Sequence, residues 1–124
     1  MRLIKAGVLV VALALGIGSI APDAAQKACA SSSDMTPEQK ARRAELVAVA
    51  RDINTQQASA ALSTKQYRPW GTLTLRHPVP TGLEVKMSVD ASGYSFSVVD
   101  TTDECRAGVF SNEVGIIYTG QALQ

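Results

Sequence analysis

The chain has 124 residues, which is enough for one ordinary domain and excludes a large multidomain enzyme. Hydrophobic residues make up 46% of the chain and charged residues 19%, a balance that excludes disorder along the whole length. The 12 Lys and Arg residues nearly match the 11 Asp and Glu residues, and the formal charge of +1 argues against a nucleic-acid partner, because such binding requires a strongly basic surface.

The N-terminal segment has the pattern of a secretory signal peptide. Arg2 and Lys5 precede an uncharged run, residues 6–21, that is rich in Val, Leu and Ala. The run is shorter than the roughly 20 apolar residues that a membrane helix needs. Extending it back to Leu3 past a snorkelling Lys5 brings it close to that length, so an uncleaved membrane anchor is the alternative. Both interpretations predict an exported protein, periplasmic or extracellular.

The position of cleavage decides whether the mature chain can form a disulfide. Ala28-Cys29-Ala30 fits the small-x-small rule, so the favoured cut defines residues 1–30 as the signal peptide and leaves Cys105 unpaired, as a small apolar strand residue. A cut after Ala25 would instead retain Cys29, which could then pair with Cys105 in an oxidising compartment. A third alternative makes Cys29 a lipid-carrying N-terminus, although a charged residue stands two positions before it.

A polar tether, residues 31–36, leads into a single predicted domain, residues 37–124. Thr36 and Gln39 have the spacing of a capping box, and Pro37 occupies the first helical position. Without a further Gly or Pro up to residue 64, the pattern predicts about 28 residues of helix, or about 42 Å. One apolar stripe is expected to face the core, formed by Leu46, Val49, Ala50, Ile53, Gln57, Ala60 and Ala61. The charged residues are assigned to the solvated face, namely Arg42, Arg43, Glu45, Arg51 and Asp52.

Residues 65–82 are rich in Pro and Gly and predict an irregular connection, with one short extended piece at residues 72–75. Loops of this length in compact domains tend to be functional. This one contains Tyr67 and the chain's only Trp and only His, Trp70 and His77, which together form a candidate interaction surface. The simpler interpretation is that Tyr67 and Trp70 cover the end of the helix–sheet core.

The remainder of the chain predicts an antiparallel meander of three or four strands. Residues 83–90 and 94–99 alternate apolar and polar side chains on either side of a Gly-containing turn, which is typical of a hairpin. Residues 101–104 form a polar turn, and residues 106–111 and 114–119 are two further strand candidates. The predicted fold class is therefore α+β, with a long helix packed on this sheet.

No catalytic residue, metal site or cofactor is predicted. His77 is the chain's only histidine, the residue that most often acts as a general base. No sequence pattern places a nucleophile and an orienting group beside it. One His with Cys105 and scattered carboxylates does not suggest a zinc site. Asp100, Asp103 and Glu104 are expected to form a solvated acidic turn, since they lack the ligand spacing of a calcium loop. The expectation is a non-enzymatic protein.

Three short segments resemble the globular part of type IV pilins and pseudopilins. They are residues 50–58 (ARDINTQQA) in the helix, Tyr67 in the connection, and residues 109–117 (VFSNEVGII) in the meander. In that family a helix spine packs on an antiparallel sheet. The leader departs from the family pattern, because no Gly in it is followed by the usual prepilin residues.

The resemblance implies a bacterial, non-enzymatic structural or interaction protein that is exported as a soluble or singly anchored domain. Its expected partners are proteins of the cell envelope, such as a type IV pilus or a type II secretion-like apparatus. Membrane contact is expected only through the N-terminal segment, if that segment stays uncleaved. The alternative function is a small secreted binding module, inhibitor or enzyme that uses the connection, residues 67–80.

Overall fold

The computed structural model describes residue 29 and residues 34–121. Within them, one helix packs on a four-stranded antiparallel sheet, so the α+β class is confirmed. The predicted leader apart from Cys29, the first half of the tether and the last three residues lie outside the described residues. The helix is α1 (Pro37–Thr64), a short 3₁₀ helix spans Trp70–Thr72, and the strands are β1 (Leu83–Val89), β2 (Tyr94–Asp100), β3 (Ala107–Asn112) and β4 (Tyr118–Gln121).

Both ends of α1 are set by local sequence. At its start, the Thr36 hydroxyl accepts from the Gln39 N–H at 3.2 Å, while the Thr36 N–H donates to the Gln39 side chain at 2.9 Å. This is the capping box that the spacing predicted, with Pro37 at the first turn. At its end, Lys65 takes a left-handed conformation (φ 61°) and its N–H donates to the Ala61 carbonyl. The predicted bounds of the helix are confirmed.

The core lies between α1 and the two central strands. The sheet runs in the order β1-β2-β3-β4, each strand antiparallel to the next, and α1 packs against β2 and β3. The predicted stripe on the helix is buried except for Ala61, which is partly exposed. Burial of this apolar surface is the main favourable contribution to the fold. The central cluster is formed by Leu46, Val49, Ala50, Ile53, Tyr94, Phe96, Val98, Ala107 and Val109.

The structure corrects the predicted strand at residues 114–119. The Asn112 carbonyl accepts from the Gly115 N–H at 2.8 Å, and the Asn112 side chain accepts from the Val114 N–H at 3.1 Å, which closes a turn. Gly115 has φ 82°, a left-handed conformation that a strand residue does not adopt. Strand pairing therefore resumes only at Tyr118.

Only the start of the extended piece predicted at residues 72–75 is corrected. Thr72 belongs to the 3₁₀ helix, and its N–H donates to the Pro69 carbonyl at 3.0 Å. The backbone of Leu73 is extended, but residues 73–75 pair with no strand of the sheet. The local turn thus takes the hydrogen bonds that a strand would have needed.

The start of α1 is joined to the end of β2 by an ion pair. Arg42 donates from Nε to Asp100 Oδ2 at 2.9 Å and from Nη2 to the Thr81 carbonyl at 2.6 Å. Asp100 is only 3% exposed, and its other oxygen accepts from the N–H and hydroxyl of Thr102. The assignments of Arg42 to a solvated face and of Asp100 to a solvated turn were therefore wrong.

The burial of both groups follows from the periodicity of their elements. Asp100 continues the alternate positions Tyr94, Phe96 and Val98 on the helix-facing side of β2. Arg42 lies one helical turn before the buried Leu46. Both side chains were assigned to solvent by their charge, but their positions bury Asp100 and leave Arg42 only partly exposed.

The environment of Asp100 makes the stability of the fold dependent on pH. Burial alone would raise the pKa of Asp100, but hydrogen bonds from Arg42 and Thr102 outweigh it and hold this pKa below its ordinary value. A carboxyl group with a depressed folded-state pKa contributes stability that is fully present above its unfolded pKa, about 3.9. That contribution is lost as the pH falls through the folded-state pKa.

We expect Asp100→Asn to lower the free energy of unfolding by about 2 kcal/mol at pH 7, because it leaves Arg42 without its buried charge partner. The difference from wild type should shrink as the pH falls from about 4 through the folded-state pKa of Asp100, because the unfolded chain takes up the proton first. Urea unfolding across this pH range measures both effects. Glu84→Gln is the control, since that side chain is about half exposed. A deficit for Asp100→Asn that is equally large at pH 2 and pH 7 would contradict the assignment.

Candidate functional site

The connection between α1 and β1 is held against the helix by a buried glutamine. Gln57 is 0% exposed, and its amide forms two hydrogen bonds with the backbone of one loop residue. Its Nε2 donates to the Arg68 carbonyl at 2.6 Å, and its Oε1 accepts from the Arg68 N–H at 2.8 Å. The side-chain amide thus pairs with the loop as a strand backbone would. Nε2 also lies 3.4 Å from Met87 Sδ, on β1.

A second attachment holds the far end of the same connection. Asp52 Oδ2 accepts from the backbone N–H of Arg76 at 2.8 Å and from that of His77 at 3.3 Å. The predicted assignment of Asp52 to the solvated face is therefore corrected, because this side chain is half-buried between helix and loop. The connection is fixed at two points one and a half turns apart on α1.

The structure places the three residues of the predicted interaction surface differently. The Tyr67 ring lies 4.9 Å from the Tyr94 ring, edge to face, and the half-buried Trp70 also packs against the core cluster. These positions fit the simpler interpretation, in which both rings cover the core. His77 is exposed, and the contact that fixes it is made by its backbone N–H.

A polar network near the middle of α1 holds β3 and the turn that follows it. The Tyr94 hydroxyl donates to Asn54 Oδ1 at 2.8 Å, and Asn54 Nδ2 donates to the Ser111 hydroxyl at 2.9 Å. The Ser111 hydroxyl donates in turn to the Ile116 carbonyl at 2.8 Å. Burial, with smaller contributions from Tyr67 and Glu113, raises the pKa of Tyr94 to about 12, so this hydroxyl stays protonated as a donor at neutral pH.

The sheet face opposite α1 carries a row of side chains that crosses all four strands. Lys86 pairs in register with Ser97, Ser97 with Phe110, and Phe110 with Tyr118, and we call these four residues the outer row. Tyr118 is 60% exposed and Phe110 is half-buried. Two depressions of about 490 and 450 Å³ share Lys86, Ser97 and Phe110 in their walls.

Glycines on the neighbouring strand positions allow the Phe110 ring to lie close to the backbone. The Cβ of a residue at Gly120 would stand 3.4 Å from Phe110 Cε2, and one at Gly108 would stand 3.7 Å from Phe110 Cζ, so the ring lies over both glycines. The outer row was missed from the sequence, because the register of β4 depends on the turn at Gly115. The available signal was the alternation that turns Lys86, Ser97 and Phe110 away from the core.

The disulfide Cys29–Cys105 joins the segment before α1 to the turn before β3. The sequence offered this pairing for a chain that keeps Cys29. Cys105 lies in the turn before β3 and is half-buried, so its predicted place in a strand is corrected. The bond borders a cavity of about 590 Å³ lined by groups of both charges, among them Glu38, Arg42 and Asp100.

Within residues 29 and 34–121, no group of three or more His, Cys, Asp or Glu side chains is placed to hold a metal ion. In the same part of the chain, no helix combines the length and the apolar character that crossing a bilayer requires. Comparison of the chain with protein-family models, with curated proteins and with solved structures found no match.

We expect Gln57→Ala to lower the free energy of unfolding by about 2 kcal/mol, because it leaves a cavity and breaks both hydrogen bonds to Arg68. The amide hydrogen of Arg68 should exchange faster with solvent in the variant. Thermal unfolding and hydrogen exchange measure the two effects. The control is Arg51→Ala on the same helix, where the side chain is exposed. Equal effects of the two substitutions would show that the hydrogen bonds between Gln57 and Arg68 do not hold the loop.

Proposed function

We propose that this chain is an exported, non-enzymatic interaction protein of pilin-like architecture, which acts by contacting proteins of the cell envelope. The observation that carries the proposal is the packing of α1 across β2 and β3 of an antiparallel meander, with a fixed connection between helix and sheet. This is the arrangement that the resemblance to type IV pilins and pseudopilins implies.

Export is supported by the disulfide and by the leader pattern together. Disulfides persist in oxidising compartments and are rare in the reducing cytosol. The bond between Cys29 and Cys105 therefore favours a periplasmic or extracellular protein. A positively charged start followed by an uncharged apolar run, residues 6–21, supplies the matching export signal.

The outer row is the surface that we assign to partner contact. Its face of the sheet is the one that α1 leaves uncovered, and it combines the exposed Tyr118 and the half-buried Phe110 with Lys86 and Ser97. Aromatic side chains are enriched where protein interfaces gain most of their binding energy, and a polar rim around them is typical. Tyr67 and Trp70 support the core instead, which leaves His77 as the exposed member of the loop surface.

A type IV pilus or a type II secretion-like apparatus is the partner class that the resemblance suggests. Because the leader lacks the prepilin motif, the proposal is a domain that associates with such an apparatus and not one that enters the filament through a continuous hydrophobic spine. The membrane would then be contacted only through the N-terminal segment, if it stays uncleaved.

We expect a photo-crosslinking amino acid at position 118 to capture envelope proteins in cells that express a pilus or secretion apparatus. The same amino acid at Leu62 is the control, since this side chain is 78% exposed and lies on α1, away from the outer row. Tyr118→Ala should weaken binding to a captured partner by about tenfold, since a well-packed aromatic contact contributes more than about 1 kcal/mol. Its effect on unfolding should stay small, because the side chain is exposed.

Two results would contradict the proposal in different ways. If positions 118 and 62 gave crosslinks of equal pattern and yield, the outer row would be ruled out as the contact surface. Recovery of the full-length chain from the cytoplasm alone, in cells with an intact export pathway, would remove export itself.

A further inference from the structure

The disulfide closes a long stretch of the chain onto the turn between β2 and β3. Cys29 and Cys105 are 76 positions apart in sequence, and their Cα atoms lie 5.8 Å apart. The closed loop contains α1, β1 and β2, which is most of the core. In the chain-entropy model, the stabilisation by a disulfide grows with the length of the loop that it closes. The bond is therefore expected to stabilise the fold substantially.

The turn that carries Cys105 is fixed by its own hydrogen bonds. Asp103 accepts from the Cys105 N–H at 3.0 Å through one carboxylate oxygen and from the Ala107 N–H at 3.3 Å through the other. The Asp103 carbonyl accepts from the Arg106 N–H at 2.8 Å. These bonds hold Cys105 just before the start of β3, where its sulfur is bonded to that of Cys29. Both cysteines are half-buried, so neither is sealed inside the core.

We propose that the exported chain is cleaved on the N-terminal side of Cys29, so that the mature protein keeps this residue bonded to Cys105. The proposal rests on the export that is part of the proposed function. It excludes a cut after Ala30, because that cut removes the Cys29 sulfur from the chain. It also excludes a lipid on Cys29, because a thioether would occupy the valence that the sulfur uses in the disulfide. The cut then falls between Ala21 and Cys29, and we assign it to Ala24 or Ala25, which are small residues nearer to the apolar run than Ala28.

Formation of the bond requires an oxidant, which we identify by class as the disulfide of an exported thiol oxidoreductase. One cysteine thiolate attacks that disulfide and gives a mixed disulfide, and the second thiolate then displaces the enzyme's sulfur. In total, the two thiols of this chain lose two protons and two electrons. The oxidoreductase disulfide takes them up and becomes a dithiol.

The first test is the covalent state of the exported protein. Trypsin digestion without reductant should give residues 28–40 linked to residues 87–106, since Lys27, Lys40, Lys86 and Arg106 bound these peptides. Reduction should separate the pair, and iodoacetamide should label both cysteines only after reduction. N-terminal sequencing of the same sample should begin before Cys29.

The second test compares two substitutions at the competing cleavage positions. A leucine directly before the cut is expected to block a signal peptidase, which requires a small residue there. Ala25→Leu should therefore slow processing or shift the cut to Ala24, while Ala30→Leu should leave the mature N-terminus and the export rate unchanged. Cys105→Ser is the control for the bond: the linked peptides should disappear, while the N-terminus should stay the same.

The other possible results of these two tests each contradict one part of the proposal. A mature N-terminus at Ser31, a lipid on Cys29, or impaired processing of Ala30→Leu alone would overturn the inference and leave export standing. An exported chain that keeps residues 1–28 would contradict the proposed cleavage but would agree with the retention of Cys29. A chain found only in the cytoplasm would overturn the proposed function.

Discussion

The irregular parts of this fold depend on polar side chains of one helix. Arg42 holds the end of β2 through Asp100, and Asp52 and Gln57 hold the connection before β1. Asn54 holds β3 through Ser111. Burial of the apolar stripe brings α1 onto the sheet, but the hydrophobic effect is non-directional. The hydrogen bonds are directional, and they fix the position of each attached segment along the helix. The helix therefore serves as the frame to which each neighbouring segment is attached.

A domain of this size has a small hydrophobic core. The helix covers β2 and β3, while β1 and β4 lie at the edges and β4 has four residues. Small domains bury a low fraction of their surface and often need a covalent link in addition to the core. The disulfide supplies such a link between the segment before α1 and the turn before β3. Hydrophobic burial, polar attachment and the covalent bond thus act on different parts of the same fold.

The sequence predicted the features that depend on near neighbours. The bounds of α1 follow from Thr36, Pro37 and the absence of later breakers. Strands β1 and β2 follow from the alternation of apolar and polar residues, to which Val99 is the exception. Contacts between distant residues were not predictable in this way. Arg42 and Asp100 are 58 positions apart, and each alone has the character of a surface residue. The start of β4 was misplaced because the turn at Gly115 uses residues with apolar, strand-like neighbours.

The same separation between local and distant contacts explains why the candidate surface moved from the loop to the sheet. Tyr67 and Trp70 stood out in the sequence as aromatic residues in a long loop, but the Gln57 and Asp52 attachments hold that loop against the core. The outer row could not be predicted in this way, because only the register of all four strands shows that Lys86 and Tyr118 lie on one surface. Because it lies on the face opposite α1, a partner can bind there without breaking any bond that the helix makes. A substitution at the exposed Tyr118 should therefore leave the attachments of the helix intact.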